Sequence, residues 1–212
     1  REKRVQGISN TESYGVGIRV IANGTWGFAA TNTVSPDGIK KAAERAVAIA
    51  KANSKFQKEP VKLAPNSSYG EVSWRTPSRK NGFEIPVKEK VDLLLAANAK
   101  AMDKGASFIN SQIALINEQK YFASSEGSYI DQDVFRIYPT FSVTSIDRQS
   151  GQFKNRQALS TPVGMGYEYL DGNAADKIQA PGGVILYNKS YDIVEDASIA
   201  ADQVKEMVAA KS

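Results

Sequence analysis

The side chains in this sequence that could do acid–base or ligand chemistry are carboxylates, hydroxyls, amines and guanidinium groups, because the chain contains neither histidine nor cysteine. That excludes His-based triads, thiol nucleophiles, disulfide frameworks and zinc sites built from imidazole or thiolate within these residues. A metal held here would need carboxylates alone. Two pairs have suggestive spacing: Asp131 and Asp133 alternate onto one strand face, and Glu195 with Asp196 opens a helix. Spacing nominates no third ligand for either pair, so solvated charge is the expectation. There is no Gly-Lys dipeptide for a Walker-type phosphate loop and no G-x-S-x-G elbow for a hydrolase serine. Gly15-Val16-Gly17 starts like a dinucleotide fingerprint, but Val20 stands where the third glycine belongs and a hairpin follows where a helix is needed. No catalytic centre emerges from the residues themselves.

Binding candidates are more numerous. Gly164, Gly166, Tyr167 and Glu168 form one: glycines admit another backbone closely, and Glu168 beside Tyr167 could fix a chain terminus or an interface. The alternative is a tight turn with packed aromatics. Arg19 facing Phe28 would be a cation–π pair worth about 0.5 to 1 kcal/mol if exposed. Trp26, Phe28, Trp74, Tyr167 and Tyr169 are the aromatic candidates for a groove, with core packing as the competing role of each. Asn23-Gly24-Thr25, Asn66-Ser67-Ser68 and Asn188-Lys189-Ser190 match the glycosylation pattern, but read as turns and loops.

The elements that must position these residues follow from local patterns. The chain has 212 residues, 42% of them hydrophobic and 24% charged, which suits a globular fold with a real core. No apolar run approaches the roughly 18 to 20 residues that span a bilayer, so no membrane association is expected. The net charge of +4 is modest and spread along the chain, which disfavours nucleic acid as a partner. Tyr14 to Ala22, Asn23-Gly24 and Thr25 to Ala30 read as a hairpin with a two-residue loop. That loop sets Ala22 opposite Thr25, Ile21 opposite Trp26, Val20 opposite Gly27 and Arg19 opposite Phe28. One face then holds Val16, Ile18 and Val20, the other Ile21, Trp26 and Phe28, and both are expected to be covered, one by a helix and the other by a domain or partner.

Ser35-Pro36-Asp37 starts an amphipathic helix with a capping hydroxyl, a first-turn proline and an acid near the positive dipole end. Residues 53 to 84 read as an extended connection with a short strand at Tyr69 to Trp74. A second helix is expected from Pro86 to Lys104, capped by Gly105, with Val91, Leu94, Leu95 and Met102 on one side. Strand candidates follow at Phe108 to Ile116, Lys120 to Ser124, Tyr129 to Tyr138 and Thr140 to Ile146, with turns at Asn117-Glu118 and Glu126-Gly127-Ser128 and a possible single strand bent at Pro139. Gln152 to Ala158 is a further strand candidate. Pro181-Gly182-Gly183 ends a glycine-rich stretch, and a last helix runs from Ser190 to Ala210 with Ile193, Val194, Ala197, Ala201, Val204 and Val208 along its stripe. Together these give an α+β fold, an antiparallel sheet with amphipathic helices packed on one face, read as one domain over residues 1–212.

Gly15-Val16-Gly17-Ile18-Arg19-Val20, then Asn23-Gly24, Thr25-Trp26-Gly27-Phe28-Ala29, Thr31 and the helix start at Ser35-Pro36, resembles the amino-terminal region of the TldD/PmbA proteins, historically called modulators of DNA gyrase. Gly164-Met165-Gly166-Tyr167-Glu168 resembles a second block of that family. The resemblance implies a bacterial or archaeal zinc metalloprotease system in which one member carries an H-E-x-x-x-H motif in a carboxyl-terminal domain. Two histidines and a distal cysteine hold zinc there, and the glutamate is the base for a zinc-bound water. This chain, without histidine, carries no such motif and takes over no catalytic residue. The resemblance therefore implies a non-catalytic amino-terminal domain, with zinc in the carboxyl-terminal domain of the parent protein. Its implied partners are a second subunit, in a homodimer or heterodimer, and unfolded peptide, with Arg19, Trp26, Phe28, Gly164, Gly166, Tyr167 and Glu168 as channel or interface candidates. An inactive adaptor subunit and a gyrase-associated regulator are the alternatives. The absence of cysteine fits the cytoplasm.

Overall fold

A computed structural model describes residues 2–65, 68–171 and 190–210, together with the backbone of 177–179 and 185–187. By its contacts the chain divides into two compact units, residues 8–67 and residues 1–7 with 68–212. The first has two strands, β1 (Val16–Ala22) and β2 (Thr25–Thr31), and one helix, α1 (Pro36–Asn53). Asn23 and Gly24 both have positive φ, 51° and 75°, the signature of the type I′ turn that matches strand twist. The register is the one the loop dictates, from Ala22 opposite Thr25 to Arg19 opposite Phe28.

Helix α1 begins where its cap lies: Ser35 Oγ accepts from Gly38 N at 3.1 Å, Pro36 occupies the first turn and Asp37 meets the dipole. Its buried face is Ala42, Ala46 and Ala50, which lies on the hairpin. Gly27 permits this approach, since a Cβ there would stand 1.9 Å from the carbonyl oxygen of Ala46. Thr25, buried in the same layer, donates its hydroxyl to the Ala50 carbonyl.

The second unit is a mixed sheet under two helices. Strands β4 (Phe108–Ala123) and β5 (Tyr129–Ile146) form one long antiparallel ladder. β3 (Glu71–Arg75) pairs with β5 in parallel, β6 (Phe153–Gln157) pairs with it antiparallel, and β7 (Lys177–Gln179) and β8 (Ile185–Tyr187) pair separately. The fold is α+β, with the parallel β3 making this sheet mixed. Helices α2 (Val87–Asp103) and α3 (Ile193–Ala209) pack on the face that carries Ile109, Ile137, Phe141 and Val143. Burying each such side chain contributes about 1.5–3 kcal/mol, which makes this layer the main source of cohesion in the unit. Pro181-Gly182-Gly183 lies outside the described residues, as do Asn66-Ser67 and Asn188-Lys189 of two of the three glycosylation-like triplets.

One expectation needs correction. Asn117-Glu118 is strand, not turn: Asn117 pairs with Phe135 and Glu118 with Val134. Their polar side chains are satisfied on the sheet, Asn117 donating to Asp133 at 2.5 Å and Glu118 meeting Arg136 at 2.9 Å. At Pro139 the single-strand alternative holds, and β5 runs through it without a break. On the edge of β5 away from β4, Ile137 bonds Val163 and Phe141 bonds Ala158, so Pro139 falls in the gap where no N–H is required. Its carbonyl accepts from the Ser160 hydroxyl. Among the described residues no helix is long and apolar enough to cross a membrane.

Candidate functional site

The hairpin in residues 8–67 buries one face and leaves the other open. Thr25 and Ala29 are buried under α1, with Gly27 between them, whereas Ile21, Trp26 and Phe28 are 37%, 43% and 55% exposed. Small residues set this outcome. With alanines and a glycine between helix and sheet, the backbones approach too closely for aromatic rings, so the rings stand on the far face. The expected helix covers one face; among the described residues of this unit, nothing covers the other.

Arg19 completes that face. It is paired across the ladder with Phe28, yet its guanidinium lies over the diagonal neighbour, 5.8 Å from the Trp26 ring centroid, which corrects the expected Arg19–Phe28 stack. Diagonal neighbours on one face are within reach of long side chains, and indole is the stronger cation–π acceptor. Arg19, Trp26, Gly27 and Phe28 form a shallow depression with Ile49 and Asn53 of α1. Asn53 donates to the Trp26 carbonyl at 3.5 Å. On β1, the backbone groups of Gly17, Arg19 and Ile21 point to the side away from β2, because Val20 and Ala22 are the residues in hydrogen-bonded pairs next to the two-residue loop. The surface offers an apolar, aromatic and cationic face beside a strand edge.

The Gly164–Glu168 stretch is built differently. Gly164 is exposed, whereas Gly166 and Tyr167 are buried and Glu168 is 1% exposed. Glu168 Oε2 accepts from Lys80 N at 2.9 Å, and Oε1 accepts from Arg79 N and Gly166 N, both at 3.2 Å. The Tyr167 amide donates to the Lys80 carbonyl at 2.8 Å, and a Cβ at Gly166 would stand 2.3 Å from that same oxygen. Close backbone approach is therefore real, and the backbone that approaches is the 78–80 loop. The carboxylate clasps this loop to a 3-10 helix (Tyr167–Leu170). Burial pushes the Tyr167 hydroxyl up to about 12, with Glu89 and Asp171 adding to the effect. Tyr169 is also buried, stacked on Tyr191 with centroids 5.9 Å apart.

A polar centre near α3 escaped the sequence reading. Asp196, expected to be solvated, is 8% exposed, accepting from Tyr191 Oη at 2.7 Å and Leu159 N at 2.9 Å and pairing with Arg156 at 2.7 Å. Burial and then the bond to Asp196 raise the Tyr191 hydroxyl far above its ordinary range. The partners lie 5, 37 and 40 residues away, so spacing carried no signal. Asp131 and Asp133 do share a face, but each has a different partner: Arg75 at 2.6 Å for Asp131, which holds that carboxyl below its usual range, and Asn117 for Asp133. Among the described residues no three acidic side chains group as a metal site. With no imidazole or thiolate in the sequence, the donor set does not fit a zinc centre of the peptidase kind.

Comparison with known proteins agrees along most of the chain. Residues 1–50 match the PmbA/TldA metallopeptidase domain 1, and residues 80–207 match the PmbA/TldA metallopeptidase central domain. Metalloprotease MJ0996 of Methanocaldococcus jannaschii is 22% identical over 173 residues, which cover 82% of this chain and 37% of that protein. The crystal structure of a Thermotoga maritima protein, TM0727, described as a modulator of a DNA gyrase, superimposes with a TM-score of 0.61 at 13% identity, covering 94% of this chain and 39% of that one. The chain thus spans less than two fifths of the length of each of these two relatives.

Proposed function

The chain belongs to the PmbA/TldD metallopeptidase family, and from that premise we propose that it is the non-catalytic amino-terminal domain of a zinc metallopeptidase, working in the cytoplasm with a second subunit and helping to enclose unfolded peptides. The observation that carries this reading is the bare face of the hairpin. Ile21, Trp26 and Phe28 are large, apolar and exposed, Arg19 lies over the indole, and the outer edge of β1 presents backbone donors and acceptors. An extended peptide adding to that edge gains main-chain hydrogen bonds whatever its sequence, while the rings take its apolar side chains. Gly164, Gly166, Tyr167 and Glu168 serve this scheme as scaffold. Zinc and the hydrolytic water belong to the carboxyl-terminal domain of the parent, because this chain has no ligand set for them.

The test is anisotropy of a labelled, unstructured peptide of mixed sequence titrated with this chain. Binding that weakens about tenfold in Trp26→Ala and Phe28→Ala supports the reading. Binding indifferent to both removes its basis. The chain alone is expected to leave the peptide uncut with or without added zinc. Cleavage that appears only with a zinc-bearing family subunit, and is lost with a chelator, would place the chain as that subunit's partner.

A further inference from the structure

We propose that two copies of this chain associate edge to edge through β4, the two strands running antiparallel about a two-fold axis at Gln119. This rests on the two-subunit reading above and gives it an interface. Along β5, Tyr129 N and Asp133 O bond the β3 side, so residues of that parity face away from β4, and their even-numbered neighbours bond β4. In β4 the even residues are therefore engaged with β5, and the odd ones turn their N–H and C=O outward. Ile109 follows this rule, its carbonyl accepting from Glu2 N. Among the described residues, no backbone partner meets this edge from Ser111 to Ala123. Long bare edges recruit another strand unless something covers or blunts them.

The sequence of that edge is self-complementary in one register. With Gln119 opposite Gln119 of the partner copy, Glu118 faces Lys120, Ile116 faces Phe122, Asn117 faces Tyr121, and each pairing occurs twice. Ile116, Tyr121 and Phe122 are 50%, 66% and 56% exposed, so the apolar pairings have surface to bury. Glu118 already lies between Arg136 and Lys120, at 2.9 and 3.0 Å, and their hydrogen bonds hold its carboxyl below the usual range, so it is ionised at neutral pH. Moving the axis by one residue sets Glu118 against Glu118 or Lys120 against Lys120, which disfavours both alternatives. An axis at Gln119 also makes the central pair a hydrogen-bonded one, since residue 119 is of the outward parity. The product is one sheet with strand order β3-β5-β4-β4-β5-β3.

Sedimentation velocity of the purified chain over a concentration series tests this. The wild type is expected to dimerise. Gln119→Pro removes an outward N–H without touching the bonds to β5, and is expected to abolish association while circular dichroism stays unchanged. Glu118→Lys and Lys120→Glu, each alone, set like charges opposite and should weaken the dimer about tenfold. Mixed together, they should restore it as a heterodimer, because one copy then carries acids at both positions, the other carries bases at both, and every facing pair has opposite charge. A wild type that stays monomeric, a dimer indifferent to Gln119→Pro, or single variants that do not rescue each other overturns the proposal. Peptide binding is read separately: its loss in Trp26→Ala with the dimer intact leaves this interface standing, and its loss in Gln119→Pro alone makes β4 the peptide edge instead.

Discussion

Residues 8–67 and the sheet unit bury opposite kinds of side chain. In the hairpin unit the fully buried apolar residues are Ala29, Ala42, Ala46 and Ala50, Val16, Ile18 and Val20 are half-buried, and Ile21, Trp26 and Phe28 face out. In the sheet unit Phe141, Ile109, Ile137, Val143, Ile193 and Val204 are all buried, with polar clasps at Glu168 and Asp196 around them. A core of alanines offers little transfer free energy, and a two-stranded sheet under one helix is marginal by itself. A core of branched and aromatic residues sustains its own unit. The difference teaches that the hairpin unit leaves its aromatic area, Trp26 and Phe28, on a surface, whereas the sheet unit encloses Phe141.

Perturbations can break or sharpen this contrast. The largest effect is expected from Phe141→Ala, at about 3–5 kcal/mol. Hydrogen exchange resolved by mass spectrometry should show protection falling across 68–171 and 190–210, with the pattern in 8–65 retained; equal collapse of both would erase the distinction. Gly27→Ala should cost about 1–3 kcal/mol, since the added carbon meets helix backbone, and its exchange signature should be confined to 8–65.

Alkaline pH should act on the sheet unit alone. Tyr167 is raised from 10.0 to about 12, and Tyr169 and Tyr191 are raised as well, so the unfolded chain loses these protons first. Their contribution is complete below pH 10 and is lost as pH rises toward and beyond 12, by about 1 kcal/mol per pH unit for each tyrosine kept protonated by the fold. Denaturant titrations at pH 9 and pH 11 check the sign. Residues 8–67 contain a single tyrosine, Tyr14, which is exposed. The smallest stability change belongs to Trp26→Ala, within about 1 kcal/mol, because the half-exposed ring gives up little beyond its contact with Arg19. A loss of several times that size would mean the indole holds the unit together, and the reading of that face as a recognition surface would fail.

Local chemistry made much of this legible in advance. Asn23-Gly24 specified the hairpin and its register, Ser35-Pro36-Asp37 the start of α1, and the apolar stripe of α3 the face it buries. Where the reading failed, a distant partner had overridden a local preference. Asn117 and Glu118 look like turn residues, but Asp133 and Arg136 on the neighbouring strand satisfy them in extended backbone. Pro139 left two strands or one open in the sequence, and the gap between Val163 and Ala158, where its missing N–H has no consequence, decides for one. Arg19 chose the ring diagonal to it, a choice that ladder pairing does not state.

Composition by itself determined that no imidazole or thiolate chemistry takes place in this chain, and local pattern determined its hairpin, its helices and its α+β class. Those follow from short-range terms: donor types, turn dihedrals, capping and periodicity. Only the tertiary structure decided that Glu168 closes on the 78–80 loop, that Asp196 is buried against Arg156 and Tyr191, and that, among the described residues, Trp26 and Phe28 stay exposed and no strand pairs with the outer edge of β4. Burial and pairing across tens of residues are properties of the packed chain, set by which surfaces the whole molecule brings together.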